Sequence, residues 1–287
     1  MTEILRTIPE ARAALGPARE SGTLALVPTM GALHDGHLSL VEIAQDRADT
    51  VAASIFVNPM QFAPGGDFER YPRTFDDDVA KLEAAGVDYV VAPAVDEMYP
   101  RGLKQTRVVG GPAAAILEAQ HRLAHFDGVL TVVCKLFTIT RPHLAVFGEK
   151  DAQQLHLVRR MSEDLNLDVE IVGAPIVREP DGLARSSRNV YLSDDERRAA
   201  LSLSRALGAV ADNGDLGLNQ MIALGQGMLM DEKLVKLDYL SIVDPDTFQL
   251  VNEAYRGPVR ILIAAKVGST RLIDNMPGYI EIGRGVV

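Results

Sequence analysis

The sequence predicts an α/β fold, in which a doubly wound parallel sheet is followed by a smaller C-terminal α+β domain. Three observations support this prediction. Near-continuous apolar runs recur in the first part of the chain, helical patterns separate them, and the character changes after about Pro180. Apolar strands that alternate with helices are typical of a parallel sheet covered on both faces. We therefore predict a Rossmann-like domain over residues 1–178 and a second domain over residues 179–287.

Strands and helices are expected to alternate in the first domain. The apolar runs that predict strands are 24–27, 51–57, 89–92, 144–147 and 169–172. The segments with the apolar spacing of a helix are 38–47, 75–85 and 152–164. Ligands of such sheets bind outside the carboxyl ends of the strands, so the segments after each strand are the places to look for a site.

The second domain is predicted to contain two helices, 194–212 and 218–231, followed by strands at 236–243 and 259–265. Ser193 is a favourable N-cap for the first helix, because its hydroxyl can accept a backbone N–H. The acidic residues that follow it suit the positive end of a helix.

The composition of the chain limits the classes of protein to which it can belong. The chain has 287 residues, of which 47% are hydrophobic and 24% charged, as is usual for a globular protein. It has no long apolar run and no secretory signal pattern, so we expect no membrane partner. The net charge of −10 argues against a nucleic-acid partner. The single cysteine, Cys134, excludes an internal disulfide framework and is consistent with a cytoplasmic location.

The most informative segment follows the first predicted strand and reads Pro28-Thr29-Met30-Gly31-Ala32-Leu33-His34-Asp35-Gly36-His37. The start of a helix attracts anions through its backbone N–H groups and its positive dipole end. Gly31 and Gly36 let the backbone approach a phosphate closely. His34 and His37 are three residues apart, so both can project from one side of the first turn. The segment therefore predicts a phosphate site.

Two other interpretations of the histidine pair are open. His34 and His37 have the spacing of metal ligands, although zinc needs at least a third ligand and no cysteine lies nearby. The glutamate of a His-Glu-x-x-His motif is also absent. Alternatively, both are ordinary surface histidines. The glycines around them and the preceding strand favour phosphate binding.

Three further segments carry polar side chains. Asn58 and Gln61 follow the second strand and suit a hydroxyl or carboxylate, although a plain turn capped by Asn58 is equally compatible. Lys150 begins a helix and can reach a phosphate, whereas a charged surface turn is the alternative. The loop 185–188 has two arginines and two serines that could close on a triphosphate, although alone it favours a solvated turn.

Together these segments show that the chain resembles the pantoate–β-alanine ligase family over nearly its full length. The residues that carry the resemblance lie in 28–37, 54–62, 70–74, 147–154, 181–189 and 271–275. The first segment, with its His-x-Gly-His motif, is shared with a wider nucleotidyltransferase superfamily and specifies only adenylyl chemistry. The segments 58–62 and 147–154 narrow the resemblance to the ligase.

The resemblance implies an ATP-dependent condensation of pantoate with β-alanine through a pantoyl adenylate, which releases AMP and pyrophosphate. It also implies Mg²⁺, a cytoplasmic location and a homodimer. Another adenylyl- or cytidylyltransferase of the same superfamily is the alternative function. An RNA-binding protein related to tRNA synthetases and a non-catalytic nucleotide-binding module are further alternatives. The acidic net charge argues against the RNA-binding protein, and the intact His37 and Lys150 argue against the non-catalytic module.

The resemblance also implies roles for individual residues. Catalytic roles fall to His34, His37, Lys150 and Arg188. ATP contacts fall to Met30, Gly31, Ala32, Leu33, His34, Asp35, Gly36, His37, Gly148, Glu149, Lys150, Asp151, Val177, Arg185, Ser186, Ser187 and Arg188. Substrate contacts fall to Asn58, Gln61 and Gln154, with pantoate held by both glutamines and β-alanine near Gln61. Asp151 is the candidate metal residue, near Mg²⁺ that the ATP phosphates carry.

Five residues depart from the family's usual pattern, and they are Leu123, Ala124, Thr138, Ala152 and Arg185. None of them replaces a main phosphate-binding group. We therefore expect that activity is retained and that substrate affinity is altered.

Overall fold

The computed structural model describes residues 1–62, 68–103, 106–122 and 124–281, and Leu123 lies outside these ranges. The chain divides into two compact units. The first comprises Met1–Glu149 and Gln153–Pro175, and the second comprises Lys150–Ala152 and Ile176–Val287. Among the described residues, no helix has both the length and the apolar character that crossing a membrane requires.

The first unit is built on a six-stranded parallel sheet. Its strands are β1 (Glu3–Leu5), β2 (Leu24–Thr29), β3 (Thr50–Ile55), β4 (Tyr89–Val91), β5 (Leu144–Gly148) and β6 (Glu170–Ala174). They lie in the order β1–β4–β3–β2–β5–β6. The chain moves outward from β2 through β3 and β4 on one side and through β5 and β6 on the other. The boundary between β2 and β5 is therefore the switch point, where sheets of this type bind ligands.

Helices cover this sheet on both faces. They are α1 (Ile8–Ser21), α2 (Asp35–Gln45), α3 (Phe75–Ala84), α4 (Val95–Met98), α5 (Glu118–His121), α6 (His125–Thr140) and α7 (Ala152–Asp164). Ala25 and Val27 pack in one core with Val41 of α2 and Leu82 of α3. Leu26 points to the opposite face, because neighbouring strand residues alternate, and it is fully buried as well. The predicted α/β class is confirmed.

The second unit packs two helices against a small sheet. Its elements are α8 (Asp194–Ala211), α9 (Leu218–Met230), β7 (Val235–Val243), β8 (Gly257–Val267) and β9 (Thr270–Ile280). The strands are antiparallel in the order β7–β8–β9. Leu203 and Leu207 of α8 share a core with Ile261 and Ile263 of β8. This is the predicted smaller α+β domain.

The first helix of this unit begins as the sequence predicts. Ser193 Oγ accepts the backbone N–H of Glu196 at 3.3 Å, and Glu196 Oε2 accepts the backbone N–H of Ser193 at 2.8 Å. This reciprocal pair is a capping box, which satisfies two N–H groups that have no partner within the helix.

Several elements were not predicted. Helix α6 is buried over most of its surface, so it lacks the polar stripe that reveals a helix. The apolar sequence pattern of strand β9 is interrupted by Asp274 and Asn275, which are both buried. The charge of Asp274 is matched inside the unit by Arg178, whose Nη1 lies 2.7 Å from Asp274 Oδ2. Strand β1 has only three residues, too few for a pattern.

Candidate functional site

The turn between β2 and α2 is the centre of the candidate site in the first unit. Gly31 and Ala32 both have positive φ angles, of 79° and 52°. The N–H of Gly31 donates to Thr29 Oγ1 at 3.2 Å, and the same hydroxyl donates to the carbonyl of Ser54 at 2.6 Å. The left-handed pair lets the chain turn from the strand into the helix. Gly36, by contrast, lies inside the first turn of α2.

Asp78 holds this turn in place, although the sequence analysis did not identify it. Its carboxylate is fully buried and accepts the backbone N–H groups of Ala32 at 2.9 Å and Leu33 at 2.7 Å. Thr74 Oγ1 donates to the same carboxylate at 3.0 Å. Lys81 Nζ donates to the carbonyl of Leu33 at 2.8 Å. Hydrogen bonds to an ionised group are stronger than neutral ones, so helix α3 fixes the turn firmly.

The two histidines cap the start of α2. His34 is the N-cap residue, and its Nδ1 accepts the backbone N–H of Gly36 at 3.1 Å. The backbone N–H of His34 points to Nδ1 of His37 at 3.4 Å. Since each Nδ1 accepts, each neutral ring carries its proton on Nε2. The ring centroids lie 4.1 Å apart, so two Nε2–H donors accompany the positive end of the helix.

This arrangement suits an anion better than a metal ion. In the part of the chain that the structure describes, no group of three or more His, Cys, Asp or Glu side chains is placed to hold a metal. Nδ1 of each histidine is already engaged with backbone N–H groups of the cap. N–H donors at a helix start are the groups that bind phosphate in many proteins.

The amides after β3 lie next to this turn. Asn58 caps a 3₁₀ turn, Pro59–Gln61, and the residue is 1% exposed. Gln61 Nε2 donates to Sδ of Met30 at 3.0 Å, which connects the amide to the β2–α2 turn. The carbonyl of Gln61 accepts from Nδ1 of His125 at 2.9 Å. The structure thus brings Met30 and Gln61 together, two residues that the sequence predicted for one site.

A cavity of about 370 Å³ lies at the carboxyl ends of β2, β3 and β4. Met30, Gly31 and Asp78 contribute to its wall, together with mostly apolar side chains that include Phe56 and Phe75. Cavities of this size hold small molecules, and the position next to the turn agrees with the general placement of ligands in such sheets.

The end of β5 lies next to the end of β2, because the two strands pair at Ala25 and Leu144. Gly148 ends β5, and Glu149 follows it in the same unit. Of the two glutamines of α7, Gln153 is buried and donates to the carbonyls of Ala113 and Ile116 at 2.7 and 2.9 Å. Its amide therefore has a structural role. Gln154 is partly exposed, so Gln154 rather than Gln153 is placed to contact a ligand.

The other predicted ATP residues belong to the second unit. Lys150 Nζ lies 4.0 Å from Asp151 Oδ2, and the carbonyl of Lys150 accepts from Asn275 Nδ2 at 3.0 Å. The side chain of Asp151 is about half exposed. A hairpin joins Val177 to Arg185, whose N–H donates to the carbonyl of Val177 at 2.9 Å.

The loop after this hairpin is ordered by its own polar groups. Ser186 Oγ accepts the backbone N–H of Arg188 at 3.3 Å and caps a 3₁₀ turn, Ser187–Tyr191. Arg188 Nη1 donates to the carbonyl of Arg271 at 3.4 Å. The structure therefore collects Val177, Arg185, Ser186, Ser187 and Arg188 in one region of the second unit.

Glu179, which Asn189 and Arg197 both contact, supports the hairpin. Asn189 Nδ2 donates to Oε1 of Glu179 at 2.9 Å, and Arg197 Nη2 donates to Oε2 at 2.7 Å. The amide and then the guanidinium hold the pKa of the Glu179 carboxyl below its usual range, although partial burial opposes them. The ionised carboxylate thus braces the segment that carries Arg185 and Arg188.

The predicted site residues fall into two sets. One set belongs to the first unit and comprises residues 30–37, Asn58, Gln61, Gly148, Glu149 and Gln154. The other belongs to the second unit and comprises Lys150, Asp151, Val177 and residues 185–188. That the two sets act on one ligand is a prediction from the sequence. Sequence reasoning missed Asp78, since an acidic residue in a first helical turn gives no local signal of a site.

Comparison with known proteins adds independent information. The family model for "Pantoate-beta-alanine ligase" matches residues 3–277. The pantothenate synthetase of Thermobifida fusca (strain YX) is 54% identical over 265 residues, which cover 89% of this chain and 90% of that protein. That of Leifsonia xyli subsp. xyli is 53% identical over 278 residues, which cover 96% of each chain.

Solved structures agree with this result. The crystal structure of pantothenate synthetase from Thermus thermophilus is 47% identical, with a TM-score of 0.89 over 96% of this chain and 99% of that chain. Pantoate-beta-alanine ligase from Francisella tularensis, solved in complex with beta-gamma ATP and beta-alanine, is 32% identical. Its TM-score is 0.80 over 96% of this chain and 97% of that chain.

Proposed function

Because the chain belongs to the pantoate–β-alanine ligase family, we propose that it condenses pantoate with β-alanine through a pantoyl adenylate, with release of AMP and pyrophosphate. The observation that carries the adenylate step is the β2–α2 turn. Two histidine Nε2–H groups and the positive end of α2 meet there, at the switch point of the sheet.

In the first half-reaction, a carboxylate oxygen of pantoate attacks the α-phosphorus of ATP. The new bond joins that oxygen to phosphorus, the bond to the β-phosphate bridging oxygen breaks, and pyrophosphate leaves with the electron pair. Negative charge therefore grows on the phosphoryl and leaving oxygens. Nε2–H of His34 and His37 would stabilise that charge from the first unit, and Lys150 and Arg188 from the second.

In the second half-reaction, the amine of β-alanine attacks the acyl carbon of the adenylate. The new carbon–nitrogen bond forms, the acyl carbon–oxygen bond of the mixed anhydride breaks, AMP leaves with its electron pair, and the nitrogen gives up a proton to the solvent. AMP is a good leaving group, so the enzyme's main task is to orient the amine and to exclude water.

Pantoate offers hydroxyl and carboxylate groups, which suit the amides of Gln61 and Gln154. We propose that both glutamines hold it and that β-alanine binds near Gln61. ATP would contact residues 30–37 and 148–151, together with the hairpin residue Val177 and the loop 185–188. Residues 179–287 would then form a domain that closes over the nucleotide.

The donor set fits Mg²⁺ that arrives with ATP rather than a resident metal. Asp151 offers a single, half-exposed carboxylate next to Lys150, and Mg²⁺ is commonly held by one or two carboxylates and the phosphates of its nucleotide. When bound, the ion would neutralise phosphate charge. We also expect a homodimer, which size-exclusion chromatography with light scattering on the purified protein can check, and a cytoplasmic location, which fractionation of cells followed by immunodetection can check.

The proposal is tested by measuring pantothenate, AMP and pyrophosphate while each substrate is omitted in turn. Sustained formation of all three products should require ATP, pantoate and β-alanine together. Without β-alanine, pyrophosphate should appear in an amount near one equivalent of enzyme and then stop. Continued pyrophosphate release without β-alanine, with no pantothenate in the complete mixture, would instead indicate a transferase that releases a nucleotide-linked product.

A further inference from the structure

A chain of three hydrogen-bonded side chains leads from Tyr99 to Gln61 inside the first unit. Tyr99 is 9% exposed, and its hydroxyl donates to Oδ1 of Asn58 at 2.8 Å. Asn58 Nδ2 donates in turn to Oε1 of Gln61 at 3.2 Å. This network joins two segments of the sequence, 58–61 and the one that contains Tyr99, and it ends on the amide that the proposed function assigns to the substrate.

The amide of Asn58 has no freedom to rotate within this network. Its oxygen accepts from Tyr99 and also from the backbone N–H of Met60 at 3.3 Å. Its nitrogen donates to Gln61 and to the carbonyl of Gly128 at 3.0 Å. These four bonds are the full complement of a primary amide. A flipped amide would place its nitrogen against the backbone N–H of Met60 and its oxygen against the carbonyl of Gly128, and neither backbone group can change its role.

The fixed orientation of Asn58 determines the polarity of Gln61. Because Oε1 of Gln61 accepts from Asn58, the nitrogen Nε2 lies on the other side of the amide, where it donates to Sδ of Met30 at 3.0 Å. A thioether is a weak acceptor, and the nitrogen carries a second hydrogen. Gln61 therefore meets a ligand as a donor, which favours the oxygens of a hydroxy acid over N–H groups.

We infer that Tyr99 is a positioning residue for the substrate. Through Asn58, it holds the Gln61 amide with its N–H groups toward pantoate, and this inference rests on the proposed role of Gln61. The Tyr99 ring also packs near Phe56, at 6.2 Å between centroids, and near Lys135 Nζ, at 5.6 Å. Substitution by phenylalanine keeps that packing and removes only the hydroxyl, so the hydrogen bond can be tested separately from the ring.

The test compares Y99F with Y89F, in which a half-buried tyrosine of strand β4 loses its hydroxyl outside the Asn58 network. We expect Y99F to raise the KM for pantoate by roughly three- to tenfold, the effect of one neutral hydrogen bond. The KM for ATP should stay within about twofold of the wild type. Y89F should leave both constants unchanged. An unchanged pantoate KM in Y99F, or an equal rise of both KM values, would overturn the inference.

A double-mutant cycle separates this inference from the proposed function. In a Q61A background, Y99F should have no further effect on the pantoate KM, because no amide is left to orient. If Y99F raised the pantoate KM equally in the wild-type and Q61A backgrounds, Tyr99 would act elsewhere and the inference would be overturned. The proposed function would still stand, because pantothenate would still be formed. If Q61A alone had the wild-type pantoate KM, the inference would fall together with the role of Gln61. Failure of the wild type to form pantothenate would overturn the proposed function itself.

Discussion

The carboxylate of Asp78 accepts the backbone N–H of Leu33 at 2.7 Å, and this bond ties helix α3 to the turn that begins α2. The two residues are 45 positions apart in the sequence. Two consecutive positive φ angles in the turn cost conformational free energy, since Ala32 has a side chain and adopts a backbone conformation that favours glycine. The buried carboxylate offsets that cost and keeps the N–H groups of the turn in place.

Asp78→Asn should therefore lower both the kcat/KM for ATP and the free energy of unfolding. An asparagine offers one acceptor oxygen where the carboxylate offers two, so at least one backbone N–H of the turn meets a donor instead. We expect kcat/KM for ATP to fall by about 10- to 100-fold and the free energy of unfolding to fall by about 1–3 kcal/mol. Initial rates and denaturant unfolding measure the two effects. Asp77→Asn, on the exposed side of the same helical turn, is the control and should change neither quantity.

His37→Ala should fold normally and lose most turnover. The variant removes one of the two Nε2–H donors at the start of α2, whose contribution is greatest when charge develops on the phosphate. We expect kcat to fall by about 10²–10³, by analogy with single oxyanion donors. Circular dichroism checks the fold, and steady-state rates check the loss. The exposed His121 provides a control through His121→Ala. Wild-type turnover in His37→Ala would remove the β2–α2 turn from the mechanism.

The neighbouring glutamines of α7 should respond differently to truncation. Gln154→Ala should raise the KM for pantoate more than the KM for ATP, because Gln154 is the one proposed to hold pantoate. Gln153→Ala should instead lower the free energy of unfolding, by about 1–3 kcal/mol, because the carbonyls of Ala113 and Ile116 lose a buried donor. Steady-state kinetics and denaturant unfolding on both variants distinguish the roles. A pantoate KM that is unchanged in Gln154→Ala would exclude it from the substrate site.

The Glu179 carboxylate should make stability depend on acidity. Its pKa in the folded protein lies below the ordinary value of 4.5, first because Asn189 donates to it and then because Arg197 does. The unfolded state therefore binds the proton more readily. The stabilisation is complete above pH 4.5 and is lost as the pH falls through the lower folded-state value.

We expect Glu179→Gln to weaken this acid dependence. Denaturant unfolding measured from neutral pH down to about pH 3 should show a shallower fall in the variant than in the wild type. Glu83→Gln, at an exposed position of α3, is the control and should follow the wild type. If Glu179→Gln and the wild type lost stability in parallel, the Asn189 and Arg197 contacts would carry no net electrostatic stabilisation.

Much of the fold could be predicted from the sequence because its signals are local. Strands β2, β3 and β5 are buried on both faces, so their apolar runs stand out, and each agrees with its predicted range within about two residues. Helix α6 and strand β9 could not be found in this way. The first is apolar around most of its circumference, and the second carries Asp274, whose partner Arg178 lies 96 residues away.

The same distinction applies to the site. His34 and His37 lie in one short segment, so their spacing and the neighbouring glycines indicate an anion site without any tertiary information. Asp78 and Tyr99 act on the site across 45 and 41 residues, respectively. Nothing in their immediate sequence distinguishes the first from other acidic residues at a helix start, or the second from an ordinary core aromatic. Only the fold reveals these supporting contacts.

The most direct test of the central claim follows an oxygen atom. Pantoate labelled with ¹⁸O in both carboxylate oxygens is incubated with ATP and β-alanine in unlabelled water, and the products are analysed by mass spectrometry. If pantoate attacks the α-phosphorus, one labelled oxygen must leave with the nucleotide, so each AMP should carry one ¹⁸O and pyrophosphate none. Label in pyrophosphate or inorganic phosphate, or AMP without label alongside newly formed pantothenate, would contradict the pantoyl adenylate mechanism.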